Sequence, residues 1–149
     1  MNGKVIVTGG TGYIGSHTAV ELITAGFEVV IIDNLYNSDI SVLDGIRSIT
    51  GVTPKFYDYD LCDSQKLEEV FGAEGKVDAI IHFAAYKAVG ESVRKPLEYY
   101  RNNLTSLMNL LEAMERHNTT ALVFSSSCTV YGQPDTLPVT ESSPVKDAA

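Results

Sequence analysis

Gly9-Gly10-Thr11-Gly12-Tyr13-Ile14-Gly15 meets two spacings at once, Gly10-x-Gly12-x-x-Gly15 and Gly9-x-x-Gly12-x-x-Gly15, directly between a β-branched run and a helical pattern. Glycines in such a loop let the backbone turn sharply, bring peptide N–H groups within reach of a pyrophosphate and allow helix and strand to pack closely. A glycine-rich turn without a ligand is the plain alternative. Asp33 weighs against it, standing 18 residues after Gly15 where a second apolar run ends. A carboxylate there accepts both hydroxyls of an adenosine ribose and repels a 2′-phosphate, which favours NAD over NADP. No Gly-Lys-Ser/Thr follows the glycines, so a nucleotide-hydrolase phosphate loop is excluded.

Three other apolar runs also end in small or polar residues: Asp60-Leu61, Phe83-Ala84-Ala85 and Ser125-Ser126-Ser127. The ends of parallel strands line a common crevice. Asp60 either forms a turn or helix cap or reaches the adenine amino group. The serines either terminate a strand or place the Ser127 hydroxyl against a reacting sugar hydroxyl. Lys87, in a small-residue loop, is either a solvated surface group or the local cation that an acidic protein needs for a dinucleotide. Arg94, Lys95 and Arg101 carry a weaker form of that argument. His82 lies inside an apolar run and reads as a hydrogen-bonded core residue rather than a base. His17 and His117 fall on helices without Cys or His companions at ligand spacing, so no metal site is expected.

The elements that must position these groups alternate in type. Strands are expected at Lys4 to Thr8, Val29 to Ile32, Lys55 to Asp60, Val77 to Phe83 and Leu122 to Ser125. Between them run helices carrying Ala19, Leu22 and Ile23 up to Gly26, then Val42, Leu43, Ile46 and Ile49 up to Gly51, then Leu67, Val70 and Phe71. From Pro96 a long helix shows an apolar stripe of Leu97, Tyr100, Leu104, Leu107, Leu111 and Met114, which either packs on the sheet or in part meets a partner helix. Strand-helix alternation with short connections predicts an α/β, doubly wound parallel sheet of the Rossmann kind. From Gln133 onward Pro134, Pro138 and Pro144 mark a loop that runs to Ala149 with no finished edge strand or capping helix.

The 149 residues suit one domain, and 44% hydrophobic against 20% charged residues is a globular composition. A net charge of −8 argues against nucleic-acid and anionic-membrane binding, which need basic surface. The two cysteines, Cys62 and Cys128, read as reduced thiols, and no apolar run approaches a membrane span, so a cytoplasmic setting is expected.

Four stretches together resemble the UDP-glucose 4-epimerases, a branch of the extended short-chain dehydrogenase/reductases. They are Thr8 to Ser16, His82 to Ser92 (His-Phe-Ala-Ala-Tyr-Lys-Ala-Val-Gly-Glu-Ser), Lys95 to Tyr100 and Ser125 to Gly132. The resemblance runs from about Lys4 to about Val139. It implies an NAD held throughout turnover, with Gly9, Gly10, Gly12, Tyr13, Ile14 and Gly15 in the phosphate loop and Asp33, Asn34, Asn37 and Ser38 around the adenosine ribose. Asp60 and Leu61 would lie at the adenine, and Phe83, Ala84, Ala85 and Lys87 toward the nicotinamide half, where Lys87 also meets substrate. Asn102 and Ser125 match further cofactor contacts, and Ser127 matches the catalytic, substrate-binding serine. The implied reaction interconverts UDP-glucose and UDP-galactose by transient oxidation at C4, in an enzyme that is a homodimer when full length.

Three departures stand out. Ala85 replaces a glycine and Cys128 an alanine of the family pattern, each adding a small group beside nicotinamide or sugar. The family's base is the tyrosine of a Tyr-x-x-x-Lys helix, its acidity raised by the lysine. None of the eight tyrosines here has lysine four residues on. The chain is therefore expected to be an N-terminal, NAD-binding portion (1–149), truncated before its base, its last strands and its sugar-binding domain. Two other readings compete. A sugar-nucleotide 4,6-dehydratase would carry an acidic pair after the serine, where Cys128 and Thr129 stand. A non-catalytic NAD-binding module would suit the absent Tyr-x-x-x-Lys.

Overall fold

The computed structural model describes residues 2–145. Residues 146–149, the end of the expected terminal loop, lie outside the described residues, as does the Cys128 side chain. Five parallel strands, β1 (Lys4–Thr8), β2 (Glu28–Asp33), β3 (Lys55–Asp58), β4 (Ala79–His82) and β5 (Ala121–Phe124), form one sheet in the order β3-β2-β1-β4-β5. The helices are α1 (Tyr13–Thr24), α2 (Val42–Thr50), α3 (Ser64–Glu74), α4 (Val89–Arg94) and α5 (Pro96–Arg116). The doubly wound expectation holds.

Side chains alternate across a strand, and here both faces are covered, so the central strands are apolar throughout. Ile6, Val30, Ile32 and Ile80 face α3 and α5 through Leu67, Val70, Phe71, Leu110 and Ala113. Val5, Val7, Val29 and Ile31 face α1 and α2 through Ala19 and Ile46. Full burial of one such aliphatic side chain contributes roughly 1.5–3 kcal/mol.

Helix ends follow local chemistry. Gly26 (φ +86°) closes α1, with the Phe27 N–H donating to the Leu22 carbonyl at 3.0 Å, and Gly51 (φ +74°) closes α2. Asp63 opens α3 by accepting the N–H groups of Gln65 and Lys66. At the opposite edge of the sheet from the strand C-termini, Glu74, its side chain 1% exposed, binds Lys4 and Lys55 and accepts the Tyr57 hydroxyl.

Two elements lie outside the expected set: the short α4, which has no clear apolar period, and a 3₁₀ turn at Cys128–Tyr131 after the serines. The larger correction concerns α5. Tyr99, Ser106, Leu110, Ala113 and Met114 are its buried side, whereas Leu97, Tyr100, Leu104 and Leu111 are exposed. Small and polar residues at 106 and 113 masked the true inner face, so the more apolar stripe pointed outward. Strands β3 and β4 are also two or more residues shorter than expected, and β5 lies one residue earlier. Among the described residues no helix is long and apolar enough to cross a membrane.

Candidate dinucleotide site

Because β2 and β4 flank β1, the strand order reverses at the C-terminal end of β1, where an open α/β sheet leaves a crevice. The glycine loop fills this position. Gly9 adopts φ +69°, and a Cβ on it would lie 2.8 Å from the Ala84 nitrogen, so the loop passes too close to the end of β4 for any side chain. A Cβ on Gly15 would collide with the Gly9 carbonyl oxygen, so α1 can lie against its own loop only with glycine there. Helix α1 starts at Gly12 without a side-chain cap and with no acid in its first turn. Its free N–H groups and positive dipole end thus face the crevice without a competing anion. Tyr13 and Ile14 are exposed on that first turn.

Asp33 ends β2 and ties two loops together. One carboxylate oxygen accepts the Thr11 N–H at 3.1 Å, and the other accepts the Leu35 N–H at 3.0 Å and the Ser38 hydroxyl at 3.4 Å. Thr11 and Ser38 share a hydroxyl–hydroxyl bond of 2.7 Å. Thr11, buried, fills the unspecified position of the Gly10-x-Gly12 spacing, which carries no signal of its own. Asn34 donates to Asp60 at 3.4 Å, and Asn37 is exposed. Asp60 accepts the Cys62 N–H at 2.8 Å, so the turn-forming role is realised while its other oxygen stays at the surface near Asn34. The Leu61 side chain is buried in the core, leaving its backbone at the crevice, where its carbonyl accepts Asn109.

On the other side of β1, the Phe83 N–H donates to the Thr8 carbonyl at 3.0 Å, and Phe83 and Ala84 are half-buried beside exposed Ala85. Under this seam the Thr8 hydroxyl meets His82 Nδ1 at 2.7 Å, and burial pushes the imidazole down to about 4. His82 is therefore a neutral core group, as expected from its surroundings. Lys87 is exposed in the loop before α4. Asn102 lies half-buried on α5, taking a weak bond from the Cys62 thiol, whose pKa rises to about 11 through burial and the Asp60 charge. Its neighbour Asn103, not foreseen, holds Tyr86 at both ends, accepting its N–H at 2.8 Å and donating to its carbonyl at 3.0 Å.

Beyond β5, the Ser125 N–H donates to the His82 carbonyl at 3.1 Å. Exposed Ser127 accepts the Thr129 N–H at 3.2 Å and pairs with the Thr129 hydroxyl at 2.8 Å. Its hydroxyl thus starts the 3₁₀ turn and still faces solvent. Among the described residues no cluster of His, Cys, Asp or Glu is arranged to hold a metal. All the other named groups stand along one edge of the sheet, from Asp60 after β3 to Ser127 after β5. That edge spans four strand spacings, roughly 19 Å. Carboxylates sit at one end, N–H groups in the middle, and a lysine and serine at the other, an order that suits ribose, pyrophosphate and a reacting group in turn.

A family model described as the NAD dependent epimerase/dehydratase family matches residues 5–148. The UDP-glucose 4-epimerase of Bacillus subtilis is 53% identical over 141 residues, covering 95% of this chain and 41% of that protein. That of Dictyostelium discoideum is 48% identical over 97% of this chain and 42% of its own length. Among solved structures, the UDP-glucose 4-epimerase of Bifidobacterium longum in complex with NAD+ and UDP superposes with a TM-score of 0.89 at 50% identity, covering 96% of this chain and 42% of that one. The Stenotrophomonas maltophila enzyme with bound NAD and formylated UDP-arabinopyranose also gives 0.89, at 46% identity over 97% and 43%. The chain spans about two fifths of the length of these relatives.

Proposed function

Because this chain belongs to the NAD dependent epimerase/dehydratase family, we propose that it is the NAD-binding portion of an enzyme interconverting UDP-glucose and UDP-galactose. The observation that carries the proposal is Asp33: a carboxylate at the end of β2 tied to the glycine loop through the Thr11 N–H. When bound, the dinucleotide supplies a reversible hydride acceptor for C4 of the sugar. The residues of this chain do the holding. The glycine-loop N–H groups and α1 take the pyrophosphate; Asp33, Asn34, Asn37 and Ser38 orient the adenosine ribose; Asp60 and the Leu61 backbone meet the adenine. Phe83, Ala84, Ala85, Asn102 and Ser125 shape the nicotinamide side, and Lys87 supplies a cation in a protein of net charge −8. Ser127 hydrogen-bonds the sugar 4-hydroxyl and helps move its proton.

The base of a Tyr-x-x-x-Lys pair is not among these 149 residues. The chain spans about two fifths of the length of the relatives it matches, and the proposal concerns the longer enzyme. The second reading is a non-catalytic NAD-binding module. The exposed face of α5 suits a homodimer of the full-length enzyme, and the free Cys62 thiol suits a cytoplasmic setting. Two measurements test the proposal. Equilibrium titration with NAD and NADP should show clear preference for NAD, and equal affinity would sink the Asp33 assignment. Conversion of UDP-galactose to UDP-glucose by the full-length protein separates the epimerase from the binding module.

A further inference from the structure

Two loops that strand spacing holds apart are joined by a pair of rings. The β2–α2 loop and the β4–α4 loop lie on either side of β1, two strand spacings or ~9.6 Å from each other, with the glycine loop between them. Tyr36 from the first and Tyr86 from the second stack across this gap, their ring centroids 4.6 Å apart and their planes at 27°. Tyr86 is firmly held. Asn103 fixes its backbone at both ends, and its ring meets the Tyr99 ring edge-on at 5.6 Å, while the Tyr99 hydroxyl donates to Glu91 at 2.9 Å. Tyr36 is different: it is 57% exposed and follows Leu35, which adopts φ +55°. Its loop is held by the Asp33 carboxylate through the Leu35 N–H and by Asn34 through the Tyr36 N–H. Burial and then the neighbouring Tyr36 and Asp60 raise the Tyr86 phenol above its ordinary range.

A ring so exposed contributes little to the core, and an exposed tyrosine spanning two loops is better explained by what lies between them. We infer that Tyr36 and Tyr86 form an aromatic clasp across the crevice that slows departure of the bound dinucleotide. The inference rests on the NAD assignment above and names residues that slow release, which that assignment leaves open. One side of the clasp is anchored and the other rides on the loop organised by Asp33. A ribose that engages Asp33 therefore draws on the same carboxylate that sets the position of Tyr36, and the dinucleotide leaves only as the rings part.

The test loads the purified protein with NADH, chases it with excess NAD and follows the loss of NADH fluorescence by stopped flow. Tyr36→Ala should speed release about three- to tenfold, the range expected from loss of one aromatic pair, with association little altered. Tyr36→Phe, which keeps the stack, should release at the parent rate, and Tyr86→Leu should match Tyr36→Ala. Far-UV circular dichroism and the thermal midpoint check that Tyr36→Ala keeps the fold. Release that is unchanged or slower in Tyr36→Ala overturns the clasp, as does Tyr36→Phe releasing as fast as Tyr36→Ala. If the parent protein takes up no NADH, the NAD assignment itself fails and the clasp with it, an outcome distinct from binding with unaltered release.

Discussion

Asp33 already holds three donors of its own chain, the N–H groups of Thr11 and Leu35 and the Ser38 hydroxyl, so its role in choosing a cofactor is bound up with loop structure. Charge-assisted hydrogen bonds contribute about 1.5–3 kcal/mol each. Asp33→Ala should weaken NAD binding by about tenfold or more and narrow the gap to NADP, mainly through the loss of NAD affinity. Competition titration reads both. At the far end of the crevice, Ser127→Ala in the full-length enzyme should lower kcat by about a hundredfold while KM changes less, because a hydroxyl at the reacting oxygen acts mainly in the transition state. An unchanged kcat would leave Ser127 as the cap of a 3₁₀ turn and nothing more. Glu74 contributes to acid stability. Burial raises its carboxyl, but hydrogen bonds from Lys4, Lys55 and Tyr57 outweigh this and bring it from an ordinary 4.5 to about 2. A group depressed on folding stabilises fully above its unfolded value, so this contribution is present above about pH 4.5 and is lost as pH falls toward 2. Glu74→Gln should cost on the order of 2 kcal/mol at neutral pH and flatten that stretch of the acid-unfolding curve.

The elements differ in how plainly the sequence announces them. Lys4–Thr8 and Glu28–Asp33 are buried on both faces, so a continuous β-branched run ending at glycine or aspartate has few other interpretations. The loop of Gly9 to Gly15 is equally legible because its glycines answer to backbone collisions that no other residue avoids. Adding a Cβ by Gly15→Ala should drive α1 off the loop and cost about 1–3 kcal/mol, read as a lowered thermal midpoint, with loss of NAD binding. Helix α5 was legible as a helix but not in its rotation. Hydrophobic period reports that a face is apolar and not what lies opposite it, and the buried face here carries Ser106 and Ala113 where the outer one carries Leu104 and Leu111. Helix α4 lacked a signal because none of its residues is buried. Partners set by tertiary contact, Thr11 with Ser38 and Asn103 with Tyr86, also escape the sequence, since they join residues 27 and 17 positions apart.

At the scale of the molecule, large apolar side chains stay exposed on several of the later elements. Leu97, Tyr100, Leu104 and Leu111 on α5 are exposed together with Val89 and Val93 on α4, and Val123 and Phe124 are exposed on the edge strand β5. The α5 residues recur at helical spacing on one face, and an exposed apolar stripe of this kind marks contact with further protein. For the homodimer proposed above, Leu104→Glu in the full-length enzyme should shift the sedimenting species from dimer to monomer, and an unaltered dimer would place the interface elsewhere. The 149-residue chain alone should convert no UDP-galactose, since general-base catalysis contributes about a hundred- to ten-thousandfold and its base is missing. Measurable turnover by monodisperse chain would overturn the account of Ser127 and its absent partner.

Strand order also has a bearing on time. β1 pairs on one side with β2, its neighbour in sequence, but its other edge waits for β4, where Val5 meets Ala79 and Thr8 meets His82. A ribosome adding ~5–20 residues per second needs roughly 2–9 s to pass from the end of β2 to the start of β4. During that interval the open edge of β1, which carries Val5, Ile6 and Val7, has no native partner. Slowing or pausing translation between codons 34 and 78 should therefore lower the soluble yield even though every finished molecule has the same sequence and the same final stability.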